Sequence, residues 1–245
     1  MTHSKALKCR VVSLRSETNR RDLVTQNLNS RSDLDWAFYD AREPDDGLPS
    51  LPASPQRQAT HFGRSLSNGE LACYQSHYDV IKEHSTASGW MLIMEDDVWL
   101  DPDFDLDPVI EFAEQRKIHH IKLFAFNHKP ARAIGTVQNR RKILRFLSEP
   151  YGAQAYLINA QGAKQLVDSV SEILRPIDAE LGRFWDHGLW PLVVFPFPCL
   201  ERTVPSSLEM DRFKEETVIR GSRLNTLFVR ISDKLRKFLA LRSAP

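Results

Sequence analysis

The sequence lacks any apolar run that approaches the roughly 18–20 residues a helix needs to cross a bilayer. It has only three cysteines, Cys9, Cys73 and Cys199, and none of them forms a CxxC pair. These absences argue against a membrane-spanning protein, a zinc knuckle and a disulfide framework. The first residues also lack the hydrophobic region of a secretory signal. We therefore expect a reduced, cytoplasmic protein.

A large excess of one charge is also missing, since 33 lysines and arginines face 32 acids. Residues 220–245, however, hold seven cations and one acid, a net charge of +6, so residues 1–219 carry −5 of the total of +1. A slightly acidic body argues against nucleic acid as a partner, whereas a basic tail suits an anionic surface. The length and the 42% apolar content predict one folded domain, residues 1–219, followed by a basic segment, 220–245.

Short apolar runs alternate with helix-like segments along the chain. The strand-like runs are residues 9–14, 36–40, 90–94, 121–126, 153–158 and 192–197. The expected helices are residues 20–29, 69–84, 160–170 and 176–185. Ser67 and Glu70 have the spacing of a capping box, Asn159 is a capping residue, and the proline-rich stretch 43–61 predicts a long irregular loop. This alternation predicts an α/β sandwich with a largely parallel or mixed sheet.

Three acids follow the most apolar of these strands. Glu95, Asp96 and Asp97 come directly after residues 90–94, a run of the kind that is buried on both faces of a sheet. Ligands bind at this end of the strands in open α/β sheets. Strand alternation puts Glu95 and Asp97 on one side, where two carboxylates suit Mg²⁺ or Mn²⁺ bound together with substrate phosphates. The alternative is an exposed acidic turn leading into residues 101–103.

Five parts of the chain, in order, resemble glycosyltransferase family 25, which builds lipooligosaccharide outer cores. They are Val11-Val12-Ser13-Leu14 with Arg20-Arg21, Phe38-Tyr39-Asp40-Ala41, Leu66-Ser67-Asn68-Gly69-Glu70 with Cys73 and Ser76-His77, Glu95-Asp96-Asp97-Val98, and residues 152–158 with Gly162-Ala163 and Pro176-Ile177-Asp178. The match spans residues 9–200.

The resemblance implies a GT-A-type nucleotide-sugar-binding sandwich with a mixed, mostly parallel central sheet. It also implies a UDP-sugar donor, commonly UDP-galactose, a saccharide or glycolipid acceptor, and transfer with inversion at the anomeric carbon. Glu95 and Asp97 are the expected ligands of Mn²⁺ or Mg²⁺. Relatives carry histidines after the late strand, where this chain has Glu201-Arg202-Thr203, so a third metal ligand is not identified.

The remaining candidates for the donor site come from the first two strands and the helix before the acids. Ser13 and Arg15 follow the first strand, and a guanidinium of Arg20 or Arg21 suits a diphosphate. Asp40 ends the second strand and is a candidate for the uracil or ribose, with a turn-forming role as the alternative.

Glu70, Cys73 and His77 lie on one helix face and complete the candidate donor site together with Asp96. For His77, a core histidine bonded to a carbonyl is an equally good interpretation. Asp178 is the candidate general base because Pro176 stiffens the start of its helix, although an acid there also meets the helix dipole favourably. Asp186 and Glu201 are the competing bases.

The C-terminal segment has the pattern of an amphipathic helix. Its apolar residues recur at three- and four-residue spacing opposite its cations: Leu224, Leu227, Phe228, Ile231, Leu235, Phe238 and Leu239. This pattern predicts a peripheral helix on an anionic membrane, with a terminal helix packed on the body as the alternative.

The whole sequence thus indicates a metal-assisted inverting glycosyltransferase at the inner face of the bacterial inner membrane. The competing functions are a metal-dependent phosphatase or nuclease and a non-catalytic saccharide-binding or assembly protein.

Overall fold

The computed structural model describes residues 6–44, 46, 50–126, 129–190, 192–202 and 218–242. The helices are α1 Thr18–Leu28, α2 Pro55–His61, α3 Asn68–His84, α4 Asp107–Gln115, α5 Ala160–Ser169, α6 Ile177–Leu181, α7 Phe184–His187 and α8 Arg223–Arg242. The strands are β1 Leu7–Ser13, β2 Leu34–Asp40, β3 Trp90–Glu95, β4 Val98–Leu100, β5 His120–Lys122, β6 Ala131–Thr136, β7 Lys142–Phe146, β8 Ala155–Asn159, β9 Leu192–Phe195 and β10 Cys199–Glu201.

A central sheet of eight strands has the order β2-β1-β3-β8-β5-β9-β7-β6. Strands β2, β1 and β3 are parallel neighbours, as are β5 and β9, whereas β8 and β7 run antiparallel to both of their neighbours. Six of the eight strands therefore run in one direction, which confirms the expected mixed, mostly parallel sheet. Strands β4 and β10 form a separate antiparallel pair.

Apolar side chains pack against both faces of this sheet. On β3, Leu92 and Met94 contribute to one core and Met91 and Ile93 to the other, so that alternate residues point to opposite faces. Helices α1 and α4 cover the first face, and α3, α5 and α6 cover the second. The continuous apolar run of β3 is thus explained by its central place in a two-sided sheet.

The capping signals read from the sequence agree with the helix ends. The Ser67 side chain accepts a hydrogen bond from the Glu70 N–H and the Glu70 carboxylate accepts one from the Ser67 N–H, which completes the capping box of α3. The Asn159 side chain accepts from the N–H of Gly162 and caps α5. Pro176 occupies the N-cap position of α6.

Several expected elements differ from those observed. Residues 43–61 were expected to be irregular, but α2 lies within them, because Ser54 caps the Arg57 N–H and Pro55 suits a first turn. Residues 45 and 47–49 of that stretch lie outside the described residues. Helix α1 begins at Thr18 without a side-chain cap, and the helix expected over 176–185 is divided into α6 and α7.

The basic C-terminal segment forms the 20-residue α8, which lies against α2 and α7. The expected C-terminal amphipathic helix is therefore present. Among the described helices, none is long and apolar enough to cross a membrane.

Candidate active site

A cleft opens where β1, β2 and β3 end. Its walls include Ser13 and Leu14 after β1, Ala41 and Arg42 after β2, and residues 95–97 after β3. Glu17 and Arg20 from the start of α1 and Ala72, Cys73 and His77 from α3 complete the lining. The three strands are parallel, so their carboxyl ends meet at one edge of the sheet, which is where such sheets bind ligands.

The Asp96 carboxylate accepts hydrogen bonds from the end of β1 and the start of α1. Ser13 Oγ donates to Asp96 Oδ2 at 2.7 Å, and Arg20 Nη1 donates to Asp96 Oδ1 at 3.1 Å. Burial raises the pKa of the Asp96 carboxyl, and the hydrogen bonds from Ser13 and Arg20 oppose that rise. Three of the expected donor-site residues are therefore in contact with one another, with Asp96 joining the ends of β1 and β3 to α1.

Glu95 lies beside His77, a fully buried histidine of α3. The distance from His77 Nε2 to Glu95 Oε1 is 3.3 Å, and His77 Nδ1 is 3.0 Å from the hydroxyl of Tyr156. Tyr156 is also fully buried, and its ring stacks on the His77 ring. The Tyr156 hydroxyl thus contacts one ring nitrogen of His77, whereas Nε2 lies beside Glu95 without making a hydrogen bond. The Cys73 sulfur is also close, since the ligand atoms of Cys73, His77 and Glu95 lie within 4.8 Å of one another.

Asp97 has the least compensated charge of the three acids. Its Oδ1 atom is buried and has no hydrogen-bond partner. Burial and the charges of Glu95, Asp96 and Glu201 raise the pKa of Asp97 to about 8. Glu201 comes close because β10 pairs with β4, and the Arg202 N–H donates to the Asp97 carbonyl oxygen at 2.7 Å.

The charges of Glu95, Asp96 and Glu201 thus all act on Asp97, and the nearby Arg20 cation opposes the resulting rise in its pKa. A buried carboxylate oxygen without a partner, in a cluster of acids, fits a bound divalent cation with oxygen ligands. The residues present thus suit the Mn²⁺ or Mg²⁺ expected from the sequence. Glu201 is brought near Asp97 by the pairing of β10 with β4, two strands that are far apart in the chain. The sequence alone suggests for it only the role of a competing base.

Arg15, Arg21 and Asp40 form a second charged group by the ends of β1 and β2, outside the set of residues that line the cleft. Arg21 Nη2 donates to Asp40 Oδ1 at 2.7 Å and to the Ser13 carbonyl oxygen at 2.9 Å, and Arg15 Nε donates to Asp40 Oδ2 at 3.2 Å. These hydrogen bonds lower the pKa of the Asp40 carboxyl. The Arg15 side chain is 80% exposed, so this guanidinium is accessible to a ligand.

Glu70 lies apart from the residues that line the cleft. Its carboxylate accepts two hydrogen bonds of 2.7 Å from Arg64 and completes the α3 capping box, and the residue is only 3% exposed. Its neighbours Gly69 and Ala72 line the cleft instead. In this arrangement Glu70 fixes the start of α3, the helix that supplies one wall of the cleft.

Asp178 lies in the first turn of α6, close enough to Cys73 for its charge to help raise the pKa of that thiol. Its Oδ1 accepts from the Ala179 N–H at 2.7 Å, and the residue is partly exposed. Its charge contributes to raising the pKa of Cys73 and of Tyr151, after burial and the nearer acids. Asp178 is therefore near α3, but it is not among the residues that line the cleft.

The competing base Asp186 is placed differently from Asp178. It forms ion pairs with Arg183 and with Arg236 of α8. Asp186 therefore helps to hold α8 on the body, and it is not among the residues that line the cleft.

Lys122 is a buried cation that the sequence analysis did not single out. It is fully buried, and its Nζ donates to the carbonyl oxygens of Pro150 and Gly152 at 2.6 and 2.7 Å. These bonds anchor the segment that carries Tyr151 and continues to Gln154, whose carbonyl oxygen accepts from the Glu95 N–H at 2.8 Å. The available signal was a lone lysine inside an apolar, strand-like run.

The chain matches known proteins over most of its length. The model of glycosyltransferase family 25, described as LPS biosynthesis protein, matches residues 6–181. The lipooligosaccharide biosynthesis protein lic2B of Haemophilus influenzae is 27% identical over 250 residues, covering 94% of this chain and 92% of that protein.

Among solved structures, a glycosyltransferase involved in the glycosylation of the major capsid of PBCV-1 is similar at 11% identity and a TM-score of 0.31, with 66% of each chain covered. That likeness is too weak to carry information on the site.

Proposed function

The chain belongs to glycosyltransferase family 25, and from this premise we propose that it transfers a hexose from a UDP-sugar to a saccharide of lipooligosaccharide or lipopolysaccharide. Galactose is the proposed sugar, and inversion at the anomeric carbon is the proposed stereochemistry, because both are implied by the family resemblance. The observation that carries the proposal is the buried, unpartnered Oδ1 of Asp97 within a cluster of acids beside the cleft.

In the proposed mechanism, Glu95 and Asp97 hold Mn²⁺ or Mg²⁺. When bound, the cation neutralises charge on the diphosphate of the leaving group. His77 lies beside the Glu95 carboxylate, and the Tyr156 hydroxyl contacts the histidine ring. Glu201 is the proposed third ligand, because it is an acid near Asp97 in the place where relatives carry histidines.

The nucleotide is proposed to lie along the ends of β1 and β2. Ser13 and Arg20 keep Asp96 directed into this wall of the cleft. The exposed guanidinium of Arg15 is the candidate contact for the diphosphate, and Asp40, held by two arginines, is the candidate contact for the uracil or ribose.

The acceptor is proposed to enter from the side of Asp178. Its hydroxyl oxygen attacks the anomeric carbon in line with the bond to UDP, Asp178 accepts the hydroxyl proton, and UDP departs with the bonding electrons. A single in-line displacement inverts the configuration. Tyr151 is the proposed contact for the acceptor saccharide. Its side chain is 38% exposed, and the Asp178 charge is near enough to help raise the pKa of its hydroxyl.

The proposal also includes a cytoplasmic location on the inner face of the bacterial inner membrane, where lipid-linked acceptors are available. Its supports are the basic amphipathic C-terminal segment and the similarity to a lipooligosaccharide biosynthesis protein.

The decisive experiment incubates the protein with a panel of UDP-sugars and Mn²⁺ and measures UDP release, with and without a lipooligosaccharide acceptor. We expect metal-dependent release of UDP with one hexose donor, and thermal stabilisation by UDP only when Mn²⁺ is present. Release of inorganic phosphate would identify a phosphatase instead. Binding of UDP with no turnover for any donor would favour the non-catalytic alternative.

A further inference from the structure

Helix α8 turns its apolar side away from the protein body. Seven of its large apolar side chains are 51–72% exposed: Leu224, Leu227, Phe228, Ile231, Leu235, Phe238 and Leu239. A terminal helix that docks by hydrophobic packing would bury this stripe against the core. Polar contacts must therefore hold α8 in place.

Those contacts lie on the opposite face of the helix. Three ion pairs join α8 to the body: Asp233 with Arg183, Arg236 with Asp186 and Lys237 with Glu149. Asp233 receives two hydrogen bonds of 2.6 and 2.7 Å from Arg183, and Thr226 is buried on the same side. At 100° per residue, Thr226, Asp233 and Lys237 lie opposite the centre of the apolar stripe.

We infer that α8 is a docking surface for an anionic lipid bilayer, held in a fixed orientation on the body by these ion pairs. The inference deepens the membrane location included in the proposed function. It also combines two interpretations that looked exclusive from the sequence, since the helix is packed on the body and still presents its apolar stripe.

The charges of α8 favour a bilayer as the occupant. Lys234 and Arg242 are exposed and have no acidic partner among the described residues. Arg230 lies on the body-facing side of the helix, near Gly63. Asp233 is the one acid in residues 220–242, and it faces the body. The exposed side therefore combines apolar side chains with cations, which is the pattern of helices that lie in the interface of anionic membranes.

A second copy of the chain fits this surface less well. Two α8 stripes packed together would bring Lys234 and Arg242 of both copies near one another. No acid on the exposed side of the helix is present to pair with them. Like charges at such an interface oppose association.

The position of α8 also connects docking to the proposed reaction. Lys237 pairs at 2.6 Å with Glu149, which lies two residues before Tyr151, the proposed contact for the acceptor. The docking helix and the proposed acceptor side therefore share one edge of the protein. A docked molecule would hold its acceptor side beside the bilayer, within reach of a lipid-anchored saccharide; this step rests on the proposed function.

The test compares two leucines with matched exposure, Leu235 of α8 at 58% and Leu200 of β10 at 57%. Co-sedimentation is measured with vesicles of equal parts phosphatidylcholine and phosphatidylglycerol and with pure phosphatidylcholine vesicles. We expect the full chain to bind the anionic vesicles, Leu235→Glu to lower the partition coefficient about tenfold or more, and Leu200→Glu to leave it unchanged. Lys234→Gln should weaken binding to anionic vesicles by about fivefold, because each cation near such a surface contributes about 1 kcal/mol.

A cooperative thermal transition in circular dichroism checks that each variant keeps its fold, and Leu235→Ala replaces Leu235→Glu if the latter does not fold. Equal vesicle binding by the Leu235 and Leu200 variants would overturn the inference. A dimer in sedimentation velocity that Leu235→Glu dissociates, without vesicle binding, would assign the surface to a second copy. Vesicle binding by a protein that never releases UDP would leave the inference standing and reject the proposed function.

Discussion

At the scale of single residues, the acids after β3 differ mainly in what surrounds them. Asp96 receives hydrogen bonds from Ser13 and Arg20, and Glu95 lies beside His77. Asp97 retains a buried oxygen without a partner. An acid in this position destabilises the metal-free protein, because burial and the neighbouring charges hold its pKa near 8, far above that of the unfolded chain.

We therefore predict that Asp97→Asn abolishes transfer while the protein stays folded. Without metal, its melting temperature should equal or exceed that of the wild type, because repulsion from Glu95, Asp96 and Glu201 is relieved. Stabilisation by UDP with Mn²⁺ should disappear. Asp103→Asn, which changes an exposed acid after β4, is the control. Normal Mn²⁺-dependent turnover in Asp97→Asn would contradict the proposed role.

Asp178→Asn is expected to lower turnover by about 10²–10⁴, the usual contribution of a positioned general base. Its affinity for UDP and Mn²⁺ should be unchanged, as measured by calorimetry. The matched control is Asp186→Asn, which should lower stability and spare turnover, because Asp186 pairs with Arg183 and Arg236. The opposite result, with turnover lost only in the Asp186 variant, would transfer the role of the base.

We predict that the buried Lys122 makes the free energy of unfolding depend on pH. Burial lowers the pKa of Lys122 from 10.5 to about 8, although the Asp178 charge opposes the shift. Between those pH values the unfolded chain binds more protons than the folded one, so the folded state gains stability as pH rises. Below pH 8 the full cost of burying the charge is present.

The free energy of unfolding of the wild type minus that of Lys122→Met should therefore rise by up to about 3 kcal/mol from pH 8 to pH 10.5. Urea denaturation at a series of pH values measures it, with Lys164→Met as the control for removal of an exposed lysine. A difference that stays constant with pH would show that hydrogen bonds to Pro150 and Gly152 keep the lysine protonated.

At the scale of elements, α8 depends on ion pairs more than a typical terminal helix does. Asp233 and Arg183 are only 22% and 9% exposed, whereas Asp168 and Lys164 on α5 are 60% and 66% exposed. Removing one partner of a mostly buried ion pair leaves the other charge buried and uncompensated, which is costly. An exposed ion pair contributes little to stability.

Asp233→Asn should accordingly destabilise the docked helix by about 3 kcal/mol, which hydrogen exchange of the α8 amides would detect. Asp168→Asn should change the stability of α5 by less than about 0.5 kcal/mol. Similar exchange rates in both variants would mean that contacts other than the Arg183 pair hold α8.

At the scale of the whole molecule, the division into residues 1–219 and 220–245 leads to a truncation experiment. A chain ending at Gly221 should still bind UDP with Mn²⁺, because the cleft is built from β1–β3, α1 and α3. Its melting temperature should fall by about 2–4 °C for each kcal/mol lost when α2 and α7 lose their cover. Loss of UDP binding by a truncated chain that remains folded would make α8 part of the catalytic unit.

Features that depend on neighbouring residues could be predicted from the sequence. The buried strand β3, the acids at its end, the α3 capping box and the Asn159 cap were all recognised, because each rests on residues within a few positions of one another. The pairs β6–β7 and β4–β10 were not recognised, since short strands are defined by partners elsewhere in the chain.

The sequence by itself determined the α/β alternation, the acid cluster and the amphipathic pattern of the C-terminal helix, since these follow from local composition and spacing. Only the tertiary structure decided that Glu201 approaches Asp97, that Tyr156 contacts His77, that Asp186 pairs with α8, and that α8 faces outward. Each of these depends on contacts between residues far apart in the chain, and local propensity contains no information about which distant segments will pair.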